Sequence, residues 1–241
     1  MIKLFVSCFS ILILLNACKK QEKQQPEIVP VKPVLKIDTD SIKKIPEVKK
    51  RVLKILDTVS NDSFIRLKDY SDDFDYDLRY ATENNFLNKK VYECAECYMR
   101  AETAKKIIKA NKYFLKQGVK ISFFDCYRQN SVQYKMWEIM PNPQYVANPK
   151  KGSVHNRGGA VDITLVTLNG ESLDMGTDFD FFGWKGYHDN FNFDDKILKN
   201  RKLLKKTMEK FGFKSVRSEW WHYNMIGAYK YKVANFNWKC N

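Results

Sequence analysis

Histidine is scarce in this chain of 241 residues, which contains three. Any site built on imidazole must draw on those three, so their surroundings can be read one by one. The chain also lacks a hydrophobic run long enough to cross a bilayer as a helix, which takes about 20 residues. Its N-terminal apolar run, from Leu4 to Leu15, falls well short. No aromatic residue occurs between Lys19 and Arg51, which excludes a packed core in that stretch. Acidic residues are outnumbered, with 28 Asp and Glu against 42 Lys and Arg. No internal repeat is present, which excludes a solenoid or a propeller.

What is present bounds the architecture. The length suits one domain with extensions. A composition 44% hydrophobic and 14% aromatic can build a real core and excludes global disorder. At the N-terminus Lys3 precedes the apolar run, and small residues lead to Leu15-Asn16-Ala17-Cys18. That layout is a secretory signal, and a Cys after a small residue at its end resembles a bacterial lipobox. The resemblance implies lipid on Cys18 and a mature chain that starts there. The alternative is an ordinary cleaved signal with an incidental Cys. Either way export is expected, here as a periplasmic lipoprotein held to the membrane by its N-terminus. Residues 19–60 are expected to form a flexible tether rich in Lys, Gln, Glu and Val, with Pro26, Pro30, Pro33 and Pro46. A short helix is expected over 51–60, and the folded domain over 61–241.

The net charge of +14 points to nucleic acid, anionic lipid or anionic polymer. An exported chain meets no genome, and the lysines run along the whole sequence rather than in one stripe. Nucleic-acid binding is therefore not expected; surface solvation and attraction to anionic envelope components are. Of the six Cys, Cys8 falls in the signal and Cys18 is assigned to lipid. Cys94, Cys97, Cys126 and Cys240 remain, with three connectivities open to them. In an oxidising compartment they suit disulfides. Cys94 and Cys97 form a C-x-x-C, but no second pair or paired His accompanies it, which favours a structural bridge over a metal half-site. Cys240 is expected to join Cys94 or Cys97 as a staple for the C-terminal tail.

Periodicity gives the elements. Ala104, Ile107, Ile108, Phe114 and Leu115 share a helical spacing over 101–117, and Gly118 stops the helix. VKISFFD at 119–125 is a short apolar β-rich run, hence a buried strand. Residues 131–140 are expected as helix ended by Pro141, and 142–152 as loop. Residues 159–166 alternate as a strand, with Asn169-Gly170 signalling a hairpin turn. A second amphipathic helix covers 196–211, followed by Gly212, and 213–216 and 220–225 read as strands. Helices and strands are segregated, which argues an α+β fold with a mainly antiparallel sheet and flanking helices.

Two of the three His have informative neighbours. SVHNRGGAVD at 153–162 contains His155 and Asp162, and EWWH at 219–222 contains Glu219 and His222. Catalytic zinc takes three ligands from His, Asp or Glu and keeps one position open. His155 ends a loop. Asp162 lies in the following strand between Val161 and Ile163, where an unpaired acid is costly to bury. Gly158 and Gly159 let the chain turn so that the two converge, and His222 completes the set from another strand. Glu219 stands three residues before His222, a spacing that puts two strand residues on opposite faces. Both reach one site only across a turn or bulge. A carboxylate there takes a proton from an acidified water and passes it to a leaving amine. Spacing alone leaves a structural role for these residues open. His188 matches no ligand position and reads as a loop residue.

SVHNRGGAVDITL resembles the Ser-x-His-x-x-Gly-x-Ala-x-Asp motif of the D-alanyl-D-alanine dipeptidases of the VanX type, and EWWHY at 219–223 resembles their second motif. LRYATENNF at 78–86, FDCYR at 124–128 and MGTDFDFF at 175–182 match in the same order. The resemblance covers about residues 70–225. It implies a Hedgehog/DD-peptidase-like fold and one zinc per chain, held by His155, Asp162 and His222, with Glu219 as general base. It further implies that Arg128 stabilises the oxyanion, that Asp180 holds the substrate ammonium, and that Ser153 and Tyr80 line the substrate cavity. The implied substrate is a small cell-wall dipeptide, D-alanyl-D-alanine. Gln129 departs from the pattern, because Pro commonly follows the active-site Arg. Two other readings compete: a D,D-carboxypeptidase or endopeptidase acting on peptidoglycan stems, and a non-catalytic zinc-stabilised binding module. Asp180 argues against the first, and the presence of both Glu219 and Arg128 against the second.

Overall fold

The computed structural model describes residues 53–240. The signal, Cys18 and most of the expected tether lie outside the described residues. In chain order the domain runs β1 (Phe64–Arg66), β2 (Asp75–Tyr76), β3 (Tyr98–Arg100), α1 (Ala101–Leu115), β4 (Val119–Asp125), α2 (Asn130–Ile139), β5 (Ala160–Thr167), α3 (Asp195–Lys210), β6 (Phe213–Val216) and β7 (Glu219–Met225), with short 3-10 turns between. This is an α+β fold. Its main sheet has the order β2-β4-β5-β7-β6, and β1 pairs with β3 in a separate two-stranded sheet. Within the main sheet β2 is parallel to β4 and every other pair is antiparallel.

The long elements follow the sequence pattern closely. In α1 the buried apolar side chains include Ala104, Ile107, Ala110 and Phe114, at helical spacing, and Gly118 follows with φ 77°. Thr103 and Asn111 are its buried polar residues; Asn111 Oδ1 accepts from the Ile121 amide and its Nδ2 donates to the Asp73 carbonyl, which ties α1 to β4. Nearly all of β4 and β5 is buried, as a central strand covered on both faces requires.

Two expectations need correction, one pairing is met, and three short strands were not foreseen. Residues 53–60 form turns rather than a helix, and Leu56 and Val59 already pack against the core. The Asn169-Gly170 turn returns only as one isolated bridge, Val166 to Ser172, so no full hairpin forms. Three strands of two or three residues, β1 to β3, carry too little periodicity to be legible. Cys240 does pair with Cys94, while Cys97 turns inward to Cys126.

The helices define the two faces of the sheet. Thr103 of α1 lies against the Met225 sulfur at 3.5 Å, and the Tyr223 phenol lies near Arg201 and Glu209 of α3. Tyr223 and Met225 therefore face α1 and α3. Strand alternation sends His222 and Asn224 to the opposite face.

Candidate active site

The register of the sheet aligns three polar side chains in one row. Asp125 at the end of β4 is paired with Asp162 of β5, and Asp162 is paired with His222 of β7. His155 joins them from a 3-10 turn, His155–Arg157, which ends at Gly158 with φ 73°. No other residue fits Gly158 easily: a Cβ there would lie 2.6 Å from the Phe64 ring.

β7 must break its regular alternation to bring Glu219 beside His222, and it does. Val216 pairs with Glu219 while Ser215 pairs with Tyr223, so one step on β6 spans four residues on β7. This bulge turns Glu219 onto the His222 face, with its Oε2 3.8 Å from His222 Nδ1. All eight residues singled out from the sequence (Tyr80, Arg128, Ser153, His155, Asp162, Asp180, Glu219 and His222) line one cavity of about 280 Å³.

One ligand atom from each of His155, Asp162 and His222 lies within 4.8 Å of the others. His155 Nε2 is 3.2 Å from His222 Nδ1 and 3.3 Å from Asp162 Oδ2, and His222 Nδ1 is 2.9 Å from Asp162 Oδ1. Two ligands of a tetrahedral zinc, each about 2.0–2.1 Å from the ion, stand about 3.3 Å apart. The two His nitrogens stand at close to that spacing, and each has one Asp162 oxygen within 3.3 Å. The outer nitrogens are also accounted for: His155 Nδ1 donates to the Cys126 carbonyl at 2.7 Å, and His222 Nε2 donates to Asn224 Oδ1 at 3.0 Å. Those bonds fix both tautomers with a lone pair toward the shared point, as metal-bound His requires.

The electrostatics agree. Burial opposes the charge of Asp162, but the adjacent His155 and His222 outweigh it, and its carboxyl is held below the usual carboxylate range. Burial likewise opposes a proton on His222, yet Asp162 lifts it to about 9. A field that draws a proton to this nitrogen draws a metal cation equally.

Arg128 is anchored from behind. Its Nη2 and Nε donate to Asp125 Oδ2 at 2.6 and 3.1 Å, and its Nη1 donates to Gln133 Oε1 at 3.0 Å. The other oxygen of Asp125 accepts from the Tyr92 hydroxyl at 2.6 Å and from the Cys126 amide at 2.8 Å. Burial disfavours the guanidinium charge, but Asp125 more than compensates. Gln129, in place of the expected Pro, keeps φ at −57°, the angle a Pro ring would impose.

Asp180 occupies the left-handed region with φ 57°, which Asp tolerates better than most residues. Its Oδ2 accepts from the Tyr80 hydroxyl at 2.9 Å. Burial, then repulsion from Asp162, pushes its carboxyl well above the ordinary range, so its ionised form is disfavoured unless a cation pairs with it. Glu219 is raised by burial as well. Ser153 lines the cavity, with its hydroxyl donating to Asn156 Oδ1 at 3.0 Å.

The D-ala-D-ala dipeptidase family matches residues 60–239. The chain belongs to this family. A D-alanyl-D-alanine dipeptidase of Escherichia coli (strain K12) is 31% identical over 168 residues, which cover 70% of this chain and 87% of that protein. One from Enterococcus faecalis is 31% identical over 172 residues, covering 63% and 85%, and one from Enterococcus faecium is 32% identical over 169, covering 61% and 84%.

Within this family member, residues that the sequence reading gave no role complete the site. Asp125 was legible in principle: a charged residue ending an apolar strand, three before an Arg, needs a buried partner just as Asp162 does. Asn224, two positions beyond His222 on the same strand face, follows from alternation once β7 is known. The Cys126 carbonyl carries no side-chain signal at all. His188 lies in a turn, as expected, and not on the cavity wall; burial lowers it to about 4.

Proposed function

We propose that this protein is a zinc-dependent D-alanyl-D-alanine dipeptidase that works outside the cytoplasm, held to the membrane by lipid on Cys18. The observation that carries the activity is one small cavity lined both by a His-Asp-His group able to hold a metal and by the buried Asp180. His155, Asp162 and His222 hold the zinc, which supplies Lewis acidity when bound. Glu219 takes the proton from the attacking water and gives it to the leaving amine. Arg128, held still by Asp125, offers preorganised positive charge to the carbonyl oxygen as it becomes an oxyanion. Asp180 receives the substrate ammonium, with Tyr80 steadying its carboxylate. Ser153 lines the same cavity.

Export is supported by the N-terminal signal layout and by two disulfides, Cys94–Cys240 and Cys97–Cys126, which suit an oxidising compartment. Among the described residues no helix is long and apolar enough to cross a membrane, and the lipid is the proposed attachment.

The test is to incubate zinc-loaded protein with D-Ala-D-Ala, L-Ala-L-Ala and N-acetyl-D-Ala-D-Ala and to measure released alanine. The free D,D-dipeptide should be cleaved and the other two spared. Equal cleavage of the free and acetylated forms would favour a carboxypeptidase, and cleavage of none would end the proposal.

A further inference from the structure

The lysines that look dispersed along the sequence are gathered by the fold. Together α1 and α3 hold eleven basic and three acidic residues, a net of +8. Residues 53–241 as a whole also carry +8, so the rest of the domain is neutral overall. The exposed charges form two stripes at helical spacing: Lys109, Lys112 and Lys116 on and just after α1, and Lys199, Lys202 and Lys206 on α3. A groove between the helices is lined by Tyr113, Leu203 and the α3 lysines. None of these six lysines has a carboxylate within ion-pair distance among the described residues, although Lys54, Lys68 and Lys230 elsewhere do. Such crowding of unpaired like charge opposes folding through self-repulsion, which an anionic partner relieves.

We infer that the α1–α3 face docks on anionic phospholipid headgroups and leaves the active-site mouth pointing away from the bilayer. The charge is on the correct side for this. Tyr223 and Met225 face the helices, whereas His222, Asn224 and the cavity lie on the opposite face of the sheet. Every exposed cation of the two stripes is Lys and none is Arg. Arg forks mark a fixed, bidentate phosphate or nucleic-acid site, whereas Lys on a flexible stem suits a diffuse surface potential. Tyr113 and Leu203 in the groove add apolar contact at headgroup depth. This inference does not depend on the peptidase activity.

The experiment is amine acylation of the full-length protein, read lysine by lysine by mass spectrometry, with vesicles of phosphatidylcholine alone or mixed with phosphatidylglycerol. A lipid anchor would bind both vesicles, so only the difference between them reports the face. Phosphatidylglycerol should protect Lys109, Lys112, Lys199, Lys202 and Lys206, leave Lys151 reactive, and lose the effect in 1 M salt (on the order of a 3 Å screening length). Lys199→Glu, Lys202→Glu and Lys206→Glu combined should abolish the protection, since each lysine contributes on the order of fivefold in affinity, while dipeptide turnover is unchanged. Equal labelling with both vesicles would overturn the proposal. So would protection by soluble polyphosphate but not by anionic vesicles, which would assign the face to a polyanion instead.

Discussion

His222 stands directly across from Asp162 in the β5–β7 pair, and their Nδ1 and Oδ1 atoms are 2.9 Å apart. Two members of the candidate metal triad are thus brought together by strand register, and His155 joins them from its 3-10 turn. A slip of one residue would send His222 to the helical face and leave Asp162 a buried acid without its partner.

Replacing His155, Asp162 or His222 by Ala should abolish stoichiometric zinc, measured by elemental analysis of dialysed protein. Asn224→Ala should retain the metal but weaken it by about 10–100-fold in a chelator competition, the range expected when the partner of a metal-bound His is lost. Full zinc in all three ligand variants would rule out the triad.

Glu219→Gln should bind zinc normally, because the amide is nearly isosteric and the carboxylate lies outside the triad. Turnover should fall by roughly 10²–10⁴-fold, as for loss of a general base. Near-normal turnover would mean that another group moves the proton.

The sequence made much of this site legible, and the physical reason is local. His155, Asp162 and His222 are polar residues in apolar or glycine-rich surroundings that do not tolerate them without partners. Helical spacing located α1 and α3, and the run VKISFFD located β4. The demand that Glu219 and His222 share a face required a bulge, and β7 has one. What stayed hidden depends on distant chain. Short strands such as β2 exist only because β4 is beside them, Cys126 finds Cys97 through a fold that periodicity does not encode, and the lysine stripes join only when two helices 80 residues apart in sequence (roughly, from α1 to α3) are laid on one sheet face.

Asp125 should prove as important to Arg128 as Arg128 is to turnover. Arg128→Ala should lower kcat by roughly 10²–10³-fold, more than it raises KM. Asp125→Asn removes the charge that compensates a buried guanidinium, and breaking such a pair from one side costs about 3–5 kcal/mol. It should lower the melting temperature and kcat together while zinc remains. In the double variant the kcat losses should not add, because the two residues act as one unit. Additive losses would separate them.

The two disulfides should have different consequences. Removing either pair as Ser variants should cost about 2–5 kcal/mol of stability. The Cys97–Cys126 pair should also weaken zinc, because the Cys126 carbonyl holds His155 Nδ1 at 2.7 Å. Loss of Cys94–Cys240, which fastens the tail, should leave zinc affinity nearly unchanged. Chelator competition on both variants decides this, and equal zinc affinity would show that Cys126 needs no bridge to keep its carbonyl in place.

Specificity should rest on the contact between Tyr80 and Asp180. The Tyr80 hydroxyl donates to Asp180 Oδ2 at 2.9 Å inside a cavity that otherwise raises the carboxyl well above its ordinary range. That hydrogen bond favours the ionised form, which is the form that attracts an ammonium. Tyr80→Phe should therefore raise KM for free D-Ala-D-Ala by about 10–15-fold, equivalent to one hydrogen bond to a charged group at its lower range, with little change in kcat. Asp180→Ala should go further. A buried charge pair broken from one side loses about 3–5 kcal/mol, at least a hundredfold in kcat/KM, and the loss should fall on the free dipeptide alone. The N-acetyl form has no positive charge to lose, so the gap between the two substrates should narrow. If Asp180→Ala instead slows both equally, the carboxylate shapes the cavity without reading the ammonium, and the basis for preferring a free dipeptide must lie elsewhere on the cavity wall.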